Sequence, residues 1–200
     1  VSLKILGGFA RGQVLAVPKG DLIRPTSVML RRRIYDFYQD LSGVTFVDLC
    51  AGSGAMGFEA WSRGADIVYL NEVNKHVLMT LEDNRETILI RNHHKKCGAI
   101  SCSYFSAEKW LKQFIATYEK LSKAEQEETI IFLDPPYSEQ RIYLDVINLL
   151  KEPWYFGQLW IESEPKKGIP QKILLELGLT PIKVFEQGEN YIFVTNFPQA

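Results

Sequence analysis

The chain has 200 residues, 46% hydrophobic and 24% charged, with a net charge of −1. That length and balance suit one well-buried α/β domain with room for a small appendage, and no apolar run approaches the roughly 20 residues that span a bilayer. Three cysteines, Cys50, Cys97 and Cys102, do not make a disulfide scaffold, and Val1-Ser2-Leu3-Lys4-Ile5 has no long apolar stretch of a signal peptide, so a cytoplasmic protein with reduced thiols is expected.

Residues 3–17 alternate in polarity around Gly7-Gly8 and Arg11-Gly12 and predict a short hairpin. A turn at 18–21 leads to Arg24-Pro25-Thr26-Ser27, an extended stretch that ends in an N-cap candidate. A helix is expected from there to about Gln39, with Leu30, Ile34, Phe37 and Tyr38 on one face. Residues 1–40 carry a net of +4 and the remaining 160 a net of −5. A basic extension on a mildly acidic body points to local contact with a polyanion, against the plainer reading of a solvated helix face. Arg11, Arg24, Arg31, Arg32 and Arg33 are the candidate contacts.

The pattern then alternates between strand and helix. Strands are expected at 44–49, 66–70, 99–104, 129–133 and 158–162, and helices at 55–63, 75–89, 107–121 and 139–150. Ser122–Glu128 reads as a charged surface loop. A helix over 170–177 precedes two β-rich runs, 180–185 and 191–197, that flank a Gly188-centred turn. Such an order predicts a mostly parallel sheet covered on both faces, with one late antiparallel strand. Residues 1–40 are expected to form an extension and 41–200 the main domain.

The first long strand runs into Asp48-Leu49-Cys50-Ala51-Gly52-Ser53-Gly54-Ala55-Met56-Gly57. Its glycines permit a tight turn and close approach of a ligand to the backbone. The same spacing occurs in dinucleotide sites, so a dehydrogenase is a competing reading. Asp48 argues against it, since a carboxylate repels a pyrophosphate but accepts from an ammonium group. Glu72, 20 residues beyond Gly52, stands where a carboxylate can accept both ribose hydroxyls. A cationic amino acid joined to a nucleoside fits both, and S-adenosylmethionine is that molecule. The positions expected to hold it are Asp48, Cys50, Ala51, Gly52, Ser53, Gly54, Glu72 and Val73.

The most specific feature is Asp134-Pro135-Pro136-Tyr137 behind the apolar run Ile130-Ile131-Phe132-Leu133. Two prolines remove two backbone donors and fix φ twice. The tip is left rich in acceptors: the Asp134 carboxylate and the carbonyls of Asp134 and Pro135. These can hold both hydrogens of a base –NH2 and free its lone pair for attack on a methyl sulfonium, while Tyr137 stacks on an extruded base. Asp134, Pro135, Pro136 and Tyr137 are the catalytic candidates. Glu162, at the end of the fifth strand, reads equally as a supporting group or a solvated carboxylate. His93-His94-Lys95-Lys96-Cys97 with Cys102 fits no common zinc spacing, and no metal is expected. Cys50 as a nucleophile is weaker than Cys50 as small-residue packing.

These motifs resemble the class I amino-methyltransferases of nucleic acids, and more closely the bacterial guanine-N2 methyltransferases of 16S ribosomal RNA. The matching stretches are Gly7–Gly12, Arg24–Ser27, Asp48–Ala60, Ser62–Ala65, Ile131–Tyr137 and Glu162-Ser163-Glu164. The resemblance implies a Rossmann-like seven-stranded sheet with an antiparallel last strand, and an N-terminal β-hairpin and helix that help hold ribosomal RNA or the assembling small subunit. It implies that Ser106, followed by Ala107, meets the adenine where the family commonly has an acidic residue, and that Arg24 and Thr26 close over the active site. Val28 and Arg32 stand where the family usually has Asp and Glu, and Cys50 where it has Phe. A monomer is expected. Enzymes that methylate adenine N6 or cytosine N4 of DNA share the tetrapeptide and stay an alternative, as does a non-catalytic adenine-nucleotide-binding module.

Overall fold

The computed structural model describes residues 3–18 and 26–198. A two-stranded antiparallel hairpin, β1 (Leu3–Lys4) and β2 (Val14–Leu15), precedes helix α1 (Val28–Phe37). The Ser27 hydroxyl accepts from the Leu30 amide and caps α1. Then follow β3 (Thr45–Asp48), α2 (Ala55–Ser62), β4 (Ile67–Asn71), α3 (Lys75–Arg91), β5 (Ala99–Ser103) and α4 (Ala107–Tyr118). The second half contains α5 (Lys123–Glu127), β6 (Thr129–Leu133), α6 (Gln140–Lys151), β7 (Gln158–Ser163), α7 (Gln171–Glu176), β8 (Lys183–Gln187) and β9 (Asn190–Asn196).

Seven strands form one sheet in the order β5-β4-β3-β6-β7-β9-β8. The chain steps outward from β3 to β5, returns through α4, and resumes at β6 on the other side of β3. The pairs from β5 through β7 are parallel, and β9 runs antiparallel between β7 and β8. The switch in direction falls between β3 and β6, so a crevice opens beyond their carboxyl ends.

Alternation along the strands builds two cores. Ile130 and Phe132 of β6 face Phe46, Val68 and Trp160, under α1, α2 and the hairpin. Ile131 and Leu133 face the opposite layer, with Leu111 and Phe114 of α4 and Tyr143, Val146 and Ile147 of α6. A parallel strand covered on both sides must be apolar throughout, which is why β6 reads as an unbroken hydrophobic run.

Two expectations are corrected. Ser122–Glu128 is not a loop: Ser122 caps α5, its hydroxyl accepting from the Glu125 amide while the Glu125 carboxylate accepts from the Ser122 amide. Ser-x-x-Glu is a capping box, and its local bonds outweigh the charge pattern read as a loop. Phe37 is exposed rather than in the core, because α1 ends there. Its ring lies edge-on to Tyr38 and Phe185, with the Lys183 ammonium 5.8 Å from its centre.

Candidate active site

A cleft of about 560 Å³ lies beyond the carboxyl ends of β3, β4, β5 and β6. Thr26, Asp48, Cys50, Ala51, Gly52, Ser53, Glu72, Val73, Ser106, Ala107 and the whole of Asp134–Tyr137 line it. Gly54 turns the chain behind this wall. It takes φ +80° at the N-cap of α2, and a Cβ there would meet the Phe58 ring at 2.3 Å, so only glycine fits.

The cofactor half is built from strand ends that grip one another. Both oxygens of Glu72 accept backbone amides, Gly52 at 2.9 Å and Asn74 at 2.8 Å, which fixes the glycine loop against the end of β4. Asn71 donates to the carbonyls of Leu49 (3.1 Å) and Phe105 (2.9 Å) and accepts from the Ser103 hydroxyl, joining the exits of β3, β4 and β5. Asn84 of α3 donates to the Ser53 carbonyl at 3.2 Å. Neither asparagine was foreseen. The signal for Asn84 is positional: it shares with Val77, Leu81 and Ile88 the stripe that α3 buries, where a polar residue requires buried partners. The Ser106 hydroxyl caps α4 by accepting from the Lys109 amide at 3.4 Å, and it faces the cleft.

Asp48 is wholly buried, and its Oδ1 has no hydrogen-bond partner among the described residues. Burial raises its pKa to about 8, helped by the nearby charges of Glu72 and Glu162 and opposed by the amides of Cys50 and Gly57. A buried orphan acceptor beside further carboxylates is a site for a cation, and the α-ammonium of S-adenosylmethionine fits it. Burial likewise pushes the Cys50 thiol up, and the charges of Asp48, Asp134 and Glu72 add to this. The thiol stays protonated, which disfavours a nucleophilic role.

At the end of β6 Pro135 is buried, while Asp134 and Tyr137 are half-buried. The Pro136 carbonyl accepts the Glu139 amide at 2.8 Å, so the tetrapeptide turns directly into α6. Glu162 and Glu164 are buried, at 2% and 3% exposure, which sets aside the solvated-carboxylate reading of Glu162. Glu162 lines the cleft.

The arginines divide. Arg11, Arg32 and Arg33 are exposed and lie outside the cleft lining. Arg24 lies outside the described residues. Arg31 is fully buried, so it is corrected from a polyanion contact to an interior group. Its guanidinium donates to the carbonyls of Lys4 (2.7 Å) and Ala55 (3.3 Å), and the buried Glu59 carboxylate balances its charge. The helical period of α1 turns Arg31 inward with Leu30, Ile34 and Tyr35.

The comparisons agree with this geometry. The Ribosomal RNA small subunit methyltransferase D of Escherichia coli K12 is 28% identical over 172 residues, covering 84% of this chain and 78% of that protein. The structure of yhhF from Escherichia coli superposes with a TM-score of 0.72 at 24% identity, covering 98% of each chain. An RNA methyltransferase from Salinibacter ruber, solved in complex with S-adenosyl-L-homocysteine, superposes with a TM-score of 0.56 at 10% identity over 88% of this chain and 95% of that one. The family model described as conserved hypothetical protein 95 matches residues 3–175, so the chain belongs to that family, and its fold is the class I methyltransferase fold expected from its motifs.

Proposed function

We propose that the protein transfers a methyl group from S-adenosylmethionine to the exocyclic N2 of a guanine in 16S ribosomal RNA, in the cytoplasm. One observation carries the chemistry: the acceptor-rich tip Asp134–Tyr137 opens into the same cleft as the buried carboxylates Asp48 and Glu72. The name of the Escherichia coli relative supports the ribosomal substrate.

When bound, S-adenosylmethionine supplies an electrophilic methyl on a sulfonium sulfur. Asp48 would hold its ammonium, Glu72 its ribose hydroxyls, and Ser106 with Ala107 its adenine. Asp134 and the Pro135 carbonyl accept the two hydrogens of the target amine. This holds the nitrogen pyramidal, with its lone pair toward the methyl. The Asp134 carboxylate would take the proton that the amine gives up on methylation. Tyr137 stacks on the extruded base, in a position that Pro135 and Pro136 stiffen. Residues 1–40 serve as the RNA-contacting extension, with Arg11, Arg24, Arg32 and Arg33 on phosphates and Thr26 at the cleft wall.

The test is methyl transfer from labelled cofactor to small ribosomal subunits, or their RNA, that lack the modification. Mass spectrometry of the digested nucleosides is expected to find N2-methylguanosine. Label only in duplex DNA, as methylated adenine or cytosine, would favour the alternative enzyme. No transfer to any nucleic acid, with cofactor still bound, would favour the binding module.

A further inference from the structure

We infer that Glu162 determines base specificity, its carboxylate accepting the N1–H of the target guanine beside the amine held at Asp134. The inference rests on the guanine-N2 reading above. The parallel ladder between β6 and β7 ends at the pair Leu133 and Ile161. Asp134 follows directly on β6, and Glu162 is the next residue of β7. Glu162 points to the face of the sheet taken by Trp160, because side chains alternate along β7. Adjacent strands lie about 4.8 Å apart, so the two residues are neighbours at the head of the cleft. Both line it, and the field of Glu162 reaches Asp48.

The backbone at Glu162 is held rigidly. Its strand pairs with β9 opposite Ile192, and its carbonyl accepts the Tyr143 hydroxyl at 2.9 Å. A carboxylate at 2% exposure on a fixed strand end has its direction set in advance of substrate binding.

The chemistry of the three candidate amines differs at the neighbouring ring atom. Beside guanine N2 stands N1–H, a donor. Beside adenine N6 stands N1, and beside cytosine N4 stands N3, both bare acceptors. A carboxylate acting as acceptor pairs with the guanine N1–H and finds no donor beside the other two amines. Asp134 selects an amine, and Glu162 selects the base that carries it. The tetrapeptide alone does not make that choice.

The experiment replaces the methylated guanosine in reconstituted small subunits with 2-aminopurine riboside, which keeps the amine but presents N1 as an acceptor. The native enzyme is expected to favour guanosine by about 100-fold or more in kcat/KM, as sites built around a donor reject the analogue lacking it. In Glu162→Gln the side-chain amide can donate to that acceptor, and the preference should shrink to less than about 10-fold. An undiminished preference in a folded Glu162→Gln enzyme overturns the inference. So does equal use of both substrates by the native enzyme, which needs no variant at all. A product methylated at adenine or cytosine would instead overturn the guanine reading beneath it, and nucleoside analysis tells these failures apart.

Discussion

Asn84 and Ala16 exchange two hydrogen bonds: the Ala16 amide donates to Asn84 Oδ1 at 2.8 Å, and Asn84 Nδ2 donates to the Ala16 carbonyl at 2.9 Å. With the further bond to the Ser53 carbonyl, one buried side chain ties the N-terminal hairpin, α3 and the glycine loop together. Asn84→Ala leaves the buried Ser53 carbonyl without this donor and releases the backbone of Ala16. It is expected to lower stability by about 1–3 kcal/mol, seen as a reduced thermal midpoint. Affinity for S-adenosylmethionine should fall with it, because the loop at Ser53 loses its tether; calorimetric titration of a folded variant with native affinity would contradict this.

The raised pKa of Asp48 has a sign that can be tested. In the unfolded chain this acid ionises near the ordinary value of 3.8, whereas in the ligand-free fold it holds its proton to about 8. Between those values the native state binds more protons than the unfolded state, so the contribution of Asp48 to stability falls as pH rises across that window. Chemical denaturation in the absence of cofactor should show this decline, and Asp48→Asn should flatten it. Cofactor binding calls for the ionised form, so it should release a proton near neutral pH. Titration calorimetry in buffers of different ionisation enthalpy reads that release directly, and a heat independent of buffer would refute the assignment.

Arg31, Arg32 and Arg33 are consecutive, yet they should behave as two kinds of residue. Arg31→Met removes the donors to the carbonyls of Lys4 and Ala55 and a positive charge near Glu59, whose carboxylate accepts from the Leu6 amide and the Arg63 guanidinium. Leaving those carbonyls unpaired is expected to destabilise the fold by about 1–3 kcal/mol in denaturant titrations. Arg32→Ala and Arg33→Ala, on exposed positions, should change stability by no more than about 0.5 kcal/mol. If they meet phosphates, each should weaken RNA binding and reduce the slope of log affinity against log salt by about 0.9 or less. A native slope in the double variant would remove this face from the RNA interface.

Much of this architecture was legible because its signals are local and strong. The apolar run of β6, the turn glycines and Asp134-Pro135-Pro136-Tyr137 each announce backbone geometry that few other sequences satisfy. What escaped prediction depends on packing in three dimensions. Arg31 carries the same charge as its neighbours, and its charge masked its place on the stripe that α1 buries with Leu30, Ile34 and Tyr35. Glu162 and Glu164 look like surface carboxylates until the fold closes around the end of β7, where both are buried. Asn71 becomes a clasp only when three strands end at one level. The capping box at Ser122 and Glu125 was readable, but the density of charge around it obscured it.

The catalytic assignment makes a sharper demand on Asp134 than on its neighbours. Asp134→Ala keeps the proline-stiffened turn but removes the carboxylate that holds the amine and takes its proton. The turnover number should drop by about 100- to 1,000-fold, the scale seen when one preorganised polar group is lost from a transition state. Affinity for S-adenosylmethionine should change little, since Glu72 and Asp48 stand on other strands. Tyr137→Ala removes a stacking surface and should act on KM for RNA as well as on turnover, while Tyr137→Phe should retain most activity because the ring face is kept. Single-turnover methylation with saturating cofactor separates these effects, and an Asp134→Ala enzyme with native single-turnover rate would rule out the proposed role of the carboxylate.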